Sequence, residues 1–118
     1  MGRAGWHTLR EEGALTLARR LPPRFDLAVE AAFPPARKGR LAHQIRQDLW
    51  RCLQHLRGFC PVVRVEQDGA HLKVRAGGAV QARSFPKAEA EARIAALLAD
   101  PAHRARWLAH AKQGENDA

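Results

Sequence analysis

The order of apolar and polar positions along this chain changes its period several times, and each change predicts a new element. Thr8-Leu9-Arg10-Glu11 has the form of a helix capping box, and the apolar positions after it recur at helical spacing, which predicts a helix over about residues 9–20. Pro22-Pro23 ends that helix. Over residues 25–33, large apolar side chains alternate with charged or small ones, which predicts a strand with one buried face.

The clearest helical pattern lies between two proline-containing segments in the middle of the chain. Basic and amide side chains occupy one side of this pattern, and the other side is an apolar stripe spaced by three and four residues: Leu41, Ile45, Leu49, Cys52, Leu53 and Leu56. The spacing predicts an amphipathic helix over residues 37–58, with Gly58 as its C-terminal stop.

A β-hairpin is predicted in the second half of the chain. Two runs of alternating apolar residues flank Asp68-Gly69, and Asp-Gly in a two-residue loop is a strong hairpin signal. With this loop, Val65 is expected to face Leu72 on the buried side of the hairpin. Lys73 and Arg75 then belong to the outer side, which is polar and mainly basic.

The remaining elements follow from glycine and proline signals. Gly77-Gly78 predicts a turn into a short strand over residues 79–83, and Pro86 and Asp100-Pro101 mark the starts of two helices, the second ending near Gln113. We therefore predict an α+β fold with a β-α-β-β core, in which a mostly antiparallel sheet of about four strands carries helices on one face. An N-terminal helix and a C-terminal helix pair complete this prediction.

Length and composition place the chain among small globular proteins. Its 118 residues, 46% of them hydrophobic, suit a single domain over residues 1–113, followed by a disordered tail over residues 114–118. No run of residues approaches the roughly 18–20 apolar positions of a membrane span, and no signal-peptide pattern is present. Cys52 and Cys60 are too few for a disulfide scaffold. These observations predict a cytoplasmic protein that does not contact membranes.

The net charge points to an anionic partner. Twenty Lys and Arg residues against twelve Asp and Glu residues give a net charge of +8, which suits a polyanion or an acidic protein surface. Because enrichment in Arg and Ala also arises from a bacterial-like genome composition, the position of the charge matters more than its total. Residues 37–58 hold six basic side chains and one acidic one, and so carry more than half of the net charge.

The basic end of the predicted helix over residues 37–58 is the first candidate site. Arg37, Lys38 and Arg40 lie at its N-terminal end, where unpaired backbone N–H groups and the helix dipole also favour an anion. We predict that these three side chains together bind one phosphate.

The same side of this helix continues the candidate surface. Gln44, Gln47 and Arg51 follow Arg40 at three- and four-residue spacing, so arginines for phosphates alternate with amides that can read base edges. Lys73 and Arg75 extend this surface if the helix and the sheet share an edge. The competing interpretation is a solvated helix face beside strands whose charges prevent aggregation.

Catalysis and metal binding find little support in the sequence. Ser84 is the only serine, and its position predicts a helix cap; no glycine-rich phosphate loop is present. Cys52, His55 and Cys60 are too few for a structural zinc site, which needs four ligands in compact pairs. We therefore expect no catalytic activity, no metal and no cofactor.

These observations predict a small non-catalytic domain that binds DNA or RNA through the phosphate backbone, with little sequence specificity. The alternative is a protein-interaction or adaptor domain, whose basic helix docks on an acidic partner or whose Trp6 and Trp107 anchor an interface. A homodimer through the strand over residues 25–33 is compatible with either function if that strand is an exposed edge.

Overall fold

A computed structural model describes residues 6–112 of the chain. Within this range the elements follow in a simple order: β1 (His7–Glu11), β2 (Ala14–Ala18), β3 (Leu27–Phe33), α1 (Lys38–Leu53), β4 (Cys60–Asp68), β5 (His71–Ala79), α2 (Lys87–Ala99) and α3 (Pro101–His110). The tail predicted over residues 114–118 lies outside the described residues.

The five strands form one antiparallel sheet in the order β1-β2-β4-β5-β3. Helix α1 packs on β2 and β4, α2 packs on β3, and the three helices contact one another, so they cover the same face of the sheet. Leu15, Val65 and Val74 from three neighbouring strands are buried in one core with Ile45 and Leu49 of α1. The predicted α+β class is confirmed, with five strands instead of about four.

The N-terminal helix predicted over residues 9–20 is wrong, because this segment is the β1–β2 hairpin. Glu11 pairs with Ala14 across a two-residue turn, in which Gly13 takes a φ of 74°. Strand β2 lies between β1 and β4 and is buried along its whole length, so both of its faces accept apolar or small residues. A short apolar run of this kind does not distinguish a strand from a helix.

The β4–β5 hairpin forms, but its register differs by two residues from the prediction. Val65 pairs with Val74 instead of Leu72, because the loop is Gly69-Ala70. Gly69 has a φ of 63°, and glycine at the first position of a two-residue loop suits a type II′ turn. A shift of two residues keeps every side chain on its predicted face, so Lys73 remains on the outer side.

Strand β5 continues to Ala79, so the turn predicted at Gly77-Gly78 and the strand predicted over residues 79–83 are wrong. Gly77 instead allows two neighbouring strands to lie close together. A Cβ atom on Gly77 would lie 2.0 Å from the carbonyl oxygen of Leu27, so its absence lets β3 approach β5 closely.

Helix α1 is shorter than the predicted span of 37–58. It ends at Leu53, and single turns follow, in which the N–H of Leu56 donates to the Leu53 carbonyl at 2.9 Å. Gly58 takes a φ of 68° in the second of these turns, which the Phe59 N–H closes onto the Leu56 carbonyl, and it does not terminate the helix.

The two C-terminal helices begin where the proline signals predicted. Asp100 caps α3 by accepting a hydrogen bond of 2.9 Å from the His103 N–H. The N-cap of α2 is Pro86 without a side-chain cap, so the capping role predicted for Ser84 is wrong. Among the described residues, no helix has the length and apolar character needed to cross a membrane.

Candidate nucleic-acid interface

Apart from Trp50, the large apolar residues of helix α1 lie on its buried side, so its outer face is mainly polar. Leu41, Ile45 and Leu49 are fully buried in the core between α1 and the sheet. Four residues predicted to form a binding stripe are exposed or half-buried on the outer side: Arg40, Gln44, Gln47 and Arg51. The structure therefore brings these four side chains to one surface of the molecule.

A cleft of about 450 Å³, which we call the N-terminal cleft, lies at the start of α1. It forms because the first turn of α1 meets both the end of α3 and the edge strand β1. The N–H of Arg37 donates to the Ala111 carbonyl at 2.9 Å, which holds the two helix ends together. The cleft is lined by Arg10, Gly39, Arg40, His43, Gln44 and His110.

The phosphate site predicted from Arg37, Lys38 and Arg40 stays a prediction, but these residues do not all line the N-terminal cleft. Arg40 lines the N-terminal cleft, whereas Arg37 and Lys38 are half-buried and lie outside its lining. Arg10 from β1 and His110 from α3 lie there instead. The basic groups at this end of α1 thus come from three elements that are distant in sequence.

A second cleft of about 360 Å³, the tryptophan cleft, lies further along the same face of α1. Its lining residues are Trp6, Arg19, Arg46, Gln47, Trp50 and Arg51. The guanidinium carbon of Arg46 lies 4.7 Å from the centre of the Trp6 ring, and that of Arg19 lies 5.6 Å from it. These distances are typical of cation–π contacts, which fix the two arginines beside the indole.

Carboxylates in the described part of the chain offset little of the charge on Arg40 and Arg51. Among residues 6–112, no Asp or Glu lines either cleft. Arg51 lies 3.8 Å from the Asp48 carboxylate, but its side chain remains 70% exposed. Asp48 binds Arg106 and Trp107 more closely, at 2.9 and 2.8 Å. Asp48 therefore neutralises the Arg51 guanidinium only in part.

Asp48 remains ionised although it is buried. Desolvation by itself raises the pKa of this carboxyl, but hydrogen bonds from Trp107 and Arg106 outweigh that effect and lower the pKa below its ordinary value. The carboxylate is thus a fixed anchor between α1 and α3 rather than a group available to a ligand.

Lys73 and Arg75 lie on the other side of the sheet. Their neighbours Leu72 and Val74 are buried in the core beneath the helices, so the alternate side chains point to the helix-free face. The guanidinium of Arg75 lies 4.8 Å from the centre of the Phe25 ring. The structure does not bring these two residues together with the clefts on α1.

The helix-free face of the sheet also carries acidic partners for its basic residues. The Arg64 guanidinium lies 2.6 Å from the Glu11 carboxylate and 3.2 Å from that of Glu66. Glu66 is in turn the register partner of Lys73. This face is therefore closer to charge balance than the outer face of α1.

The cysteines and histidines do not form a metal site within the described residues. No group of three or more His, Cys, Asp or Glu side chains in residues 6–112 is arranged to hold an ion. Cys52 and Cys60 are unpaired thiols, and burial raises the pKa of the Cys52 thiol.

Of the two features expected to anchor a protein partner, one is buried in the core and the other is partly covered by helix side chains. Trp107 is completely buried, so it cannot be the interface anchor that the sequence predicted. Strand β3 is an edge of the sheet, but the Ala28 N–H donates to Glu91 at 3.1 Å and the Ala32 carbonyl accepts from Arg104 at 2.8 Å. These side chains occupy backbone groups that a second copy would need for strand pairing.

Seven residues of the two clefts were not among the site residues predicted from the sequence: Arg10, Arg19, Gly39, His43, Arg46, Trp50 and His110. The position of Arg10 and Arg19 beside α1 was not predicted, because their segment was predicted as a helix. Trp50 did carry a signal, because a large aromatic residue on the polar side of an amphipathic helix breaks the pattern.

No protein-family model, curated protein or solved structure matches the chain.

Proposed function

We propose that this protein is a non-catalytic nucleic-acid-binding domain whose ligand lies along the outer face of α1. The observation that supports this proposal most strongly is the lining of the two clefts. Arg40 and Arg51 of α1 form one wall, and Arg10 of β1 and Arg19, which directly follows β2, contribute positive charge from the other. Positive charge on both walls suits a polyanionic strand that runs between them.

The length of this surface suits a phosphate backbone rather than one isolated anion. Arg40 and Arg51 are eleven residues apart, which corresponds to roughly 16 Å along the helix axis. Phosphates of one strand are about 3.4 Å apart along a duplex, so the surface extends past several of them. Because phosphate contacts carry no sequence information, we expect little sequence specificity.

Charge reversal on α1 tests the proposal. Fluorescence anisotropy with duplex DNA, single-stranded DNA and RNA compares the wild type with the double variant R40E/R51E. The matched control is R83E/K87E, which changes the net charge equally at two exposed positions outside both clefts. We expect R40E/R51E to weaken binding about tenfold or more for all sequences, and the control to have a much smaller, screened effect.

Two outcomes would reject the proposal. One is the absence of binding to any nucleic acid at low salt. The other is equal binding by the wild type and R40E/R51E.

An acidic protein is the alternative ligand of the same surface. Trp50 and Arg51 are adjacent exposed residues, and tryptophan and arginine are both enriched among the residues that anchor protein interfaces. Pull-downs with and without nuclease separate the two functions. Capture of one acidic protein that survives nuclease treatment and is lost in R40E/R51E would favour the adaptor function.

A further inference from the structure

The exposure of Trp50 sets it apart from the other two tryptophans. Its side chain lies on the outer side of α1, and the residue is 48% exposed, whereas Trp107 is completely buried. Trp6 is half-buried, and its ring is in contact with the guanidinium groups of Arg46 and Arg19. Trp50 therefore offers the most accessible indole surface among the described residues.

The surroundings of Trp50 combine an aromatic surface with positive charge and a polar amide. Gln47 precedes it by one helical turn, Arg51 follows it directly, and both line the tryptophan cleft with it. Arg46, one helical turn before Trp50, and Arg19 line the same cleft, with their guanidinium groups against Trp6. A nucleotide presents the complementary groups: a flat base to stack on an indole and a phosphate for a guanidinium.

On the basis of the proposed function, we propose further that the ligand is single-stranded nucleic acid and that one base stacks on Trp50 in the tryptophan cleft. In a duplex, both faces of each base are covered by neighbouring base pairs, so an indole on a helix surface cannot reach them. The cleft volume of about 360 Å³ is small, which suits one unstacked base rather than a double helix.

The proposal assigns different roles to the two clefts. The N-terminal cleft contains Arg10 and Arg40 but no Trp, Tyr or Phe side chain among the described residues, so it contributes phosphate contacts to any strand. The tryptophan cleft adds a contact that needs an accessible base. Base-containing and base-free strands of equal charge should therefore bind with different affinities, and Trp50 should account for the difference.

The experiment compares four fluorescein-labelled ligands of equal length: a mixed single strand, an abasic deoxyribose-phosphate strand, a duplex and a poly-glutamate chain. The full chain is titrated as wild type, W50A and W50F, and circular dichroism confirms that each variant is folded. The matched control is L21A, which truncates another exposed apolar residue (49% exposed) outside the tryptophan cleft.

We expect the wild type to bind the mixed strand about tenfold more tightly than the abasic strand, as expected for one stacked base. W50A should lose most of this difference, W50F should retain much of it, and L21A should behave as wild type. Quenching of tryptophan fluorescence by the mixed strand should be largely lost in W50F. Affinity for the abasic strand should be nearly the same in all four proteins.

Each contrary result has a distinct meaning. Equal binding of the mixed and abasic strands, or W50A binding as wild type, overturns the single-strand inference but leaves phosphate binding on α1 intact. Equal binding of poly-glutamate and the mixed strand overturns it in favour of an acidic polypeptide. No binding of any strand at low salt overturns the proposed function itself, and the inference with it.

Discussion

The indole Nε1 of Trp107 donates a hydrogen bond of 2.8 Å to Oδ2 of Asp48, and this contact joins the last helix of the fold to α1. Trp107 is completely buried, and only 8% of the Asp48 side chain is exposed. Arg106 binds the same carboxylate oxygen at 2.9 Å. Because His110 lies one turn further along α3, this anchor also sets its position in the N-terminal cleft.

Removal of the Asp48 carboxylate should destabilise the protein. In D48A, the Trp107 N–H would be buried without an acceptor, which costs about 1–3 kcal/mol in the free energy of unfolding. In D48N, a carbonyl oxygen can still accept from Trp107, so the loss should be smaller. Urea denaturation measures both values. Equal unfolding midpoints for D48A and the wild type would show that this hydrogen bond contributes nothing to stability.

The same carboxylate should make stability depend on acid pH. Because hydrogen bonds from Trp107 and Arg106 overcome the effect of burial, the pKa of Asp48 is lower in the folded chain than the ordinary value of 3.8. A group of this kind stabilises the fold above its unfolded-state pKa and loses that contribution as pH falls through its folded-state pKa.

The difference in stability between the wild type and D48N should therefore be constant near neutral pH and shrink as the pH falls below about 4. Thermal unfolding at a series of pH values from 7 to about 2.5 measures this difference. A difference that grows on acidification would contradict the low pKa of Asp48.

Two glycines should respond in opposite ways to substitution by alanine. G77A places a Cβ 2.0 Å from the Leu27 carbonyl oxygen, a backbone atom, so we expect a loss of about 3 kcal/mol or more, or a failure to fold. G39A places a Cβ 3.6 Å from the Leu15 side chain, an ordinary contact. Because alanine favours helix, G39A should gain up to about 1 kcal/mol. Thermal unfolding measures both changes in stability, and the result for G77A tests the close approach of β3 to β5.

The sequence was most informative where one face of an element is buried and the other is not. The apolar stripe of α1 and the alternation in β3 mark such faces, and both elements lie within the spans that the patterns predicted, although α1 and β3 are shorter. Strand β2 is buried on both faces and therefore has no such alternation. Its partner β4 begins more than 40 residues later, and no local pattern specifies that pairing.

The part of the candidate surface that lies on α1 could be predicted from the sequence, and the part from other elements could not. Arg40 and Arg51 follow directly from the helical period, because the exposed side of α1 is the complement of its buried side. Arg10, Arg19 and His110 depend on tertiary contacts, since they reach α1 only when the hairpin and α3 pack beside it. Residues from distant elements are therefore the part of such a surface that spacing alone does not reveal.

The salt dependence of binding should separate the two faces of the molecule. On a single strand, each neutralised phosphate contributes about −0.7 to the slope of log K against log salt concentration. If Arg10, Arg19, Arg40 and Arg51 each neutralise one phosphate, the wild-type slope should be about −3. R10Q/R19Q should then reduce its magnitude by about 1.4.

The matched variant K73Q/R75Q removes the same charge from the helix-free face of the sheet, so it should lower the overall affinity slightly and leave the slope nearly unchanged. Anisotropy titrations at four salt concentrations measure all three slopes. If K73Q/R75Q reduced the slope as much as R10Q/R19Q did, the strand would have to contact the helix-free face. That result would contradict the assignment of the ligand to α1, because Lys73 and Arg75 lie on the far side of the sheet from both clefts.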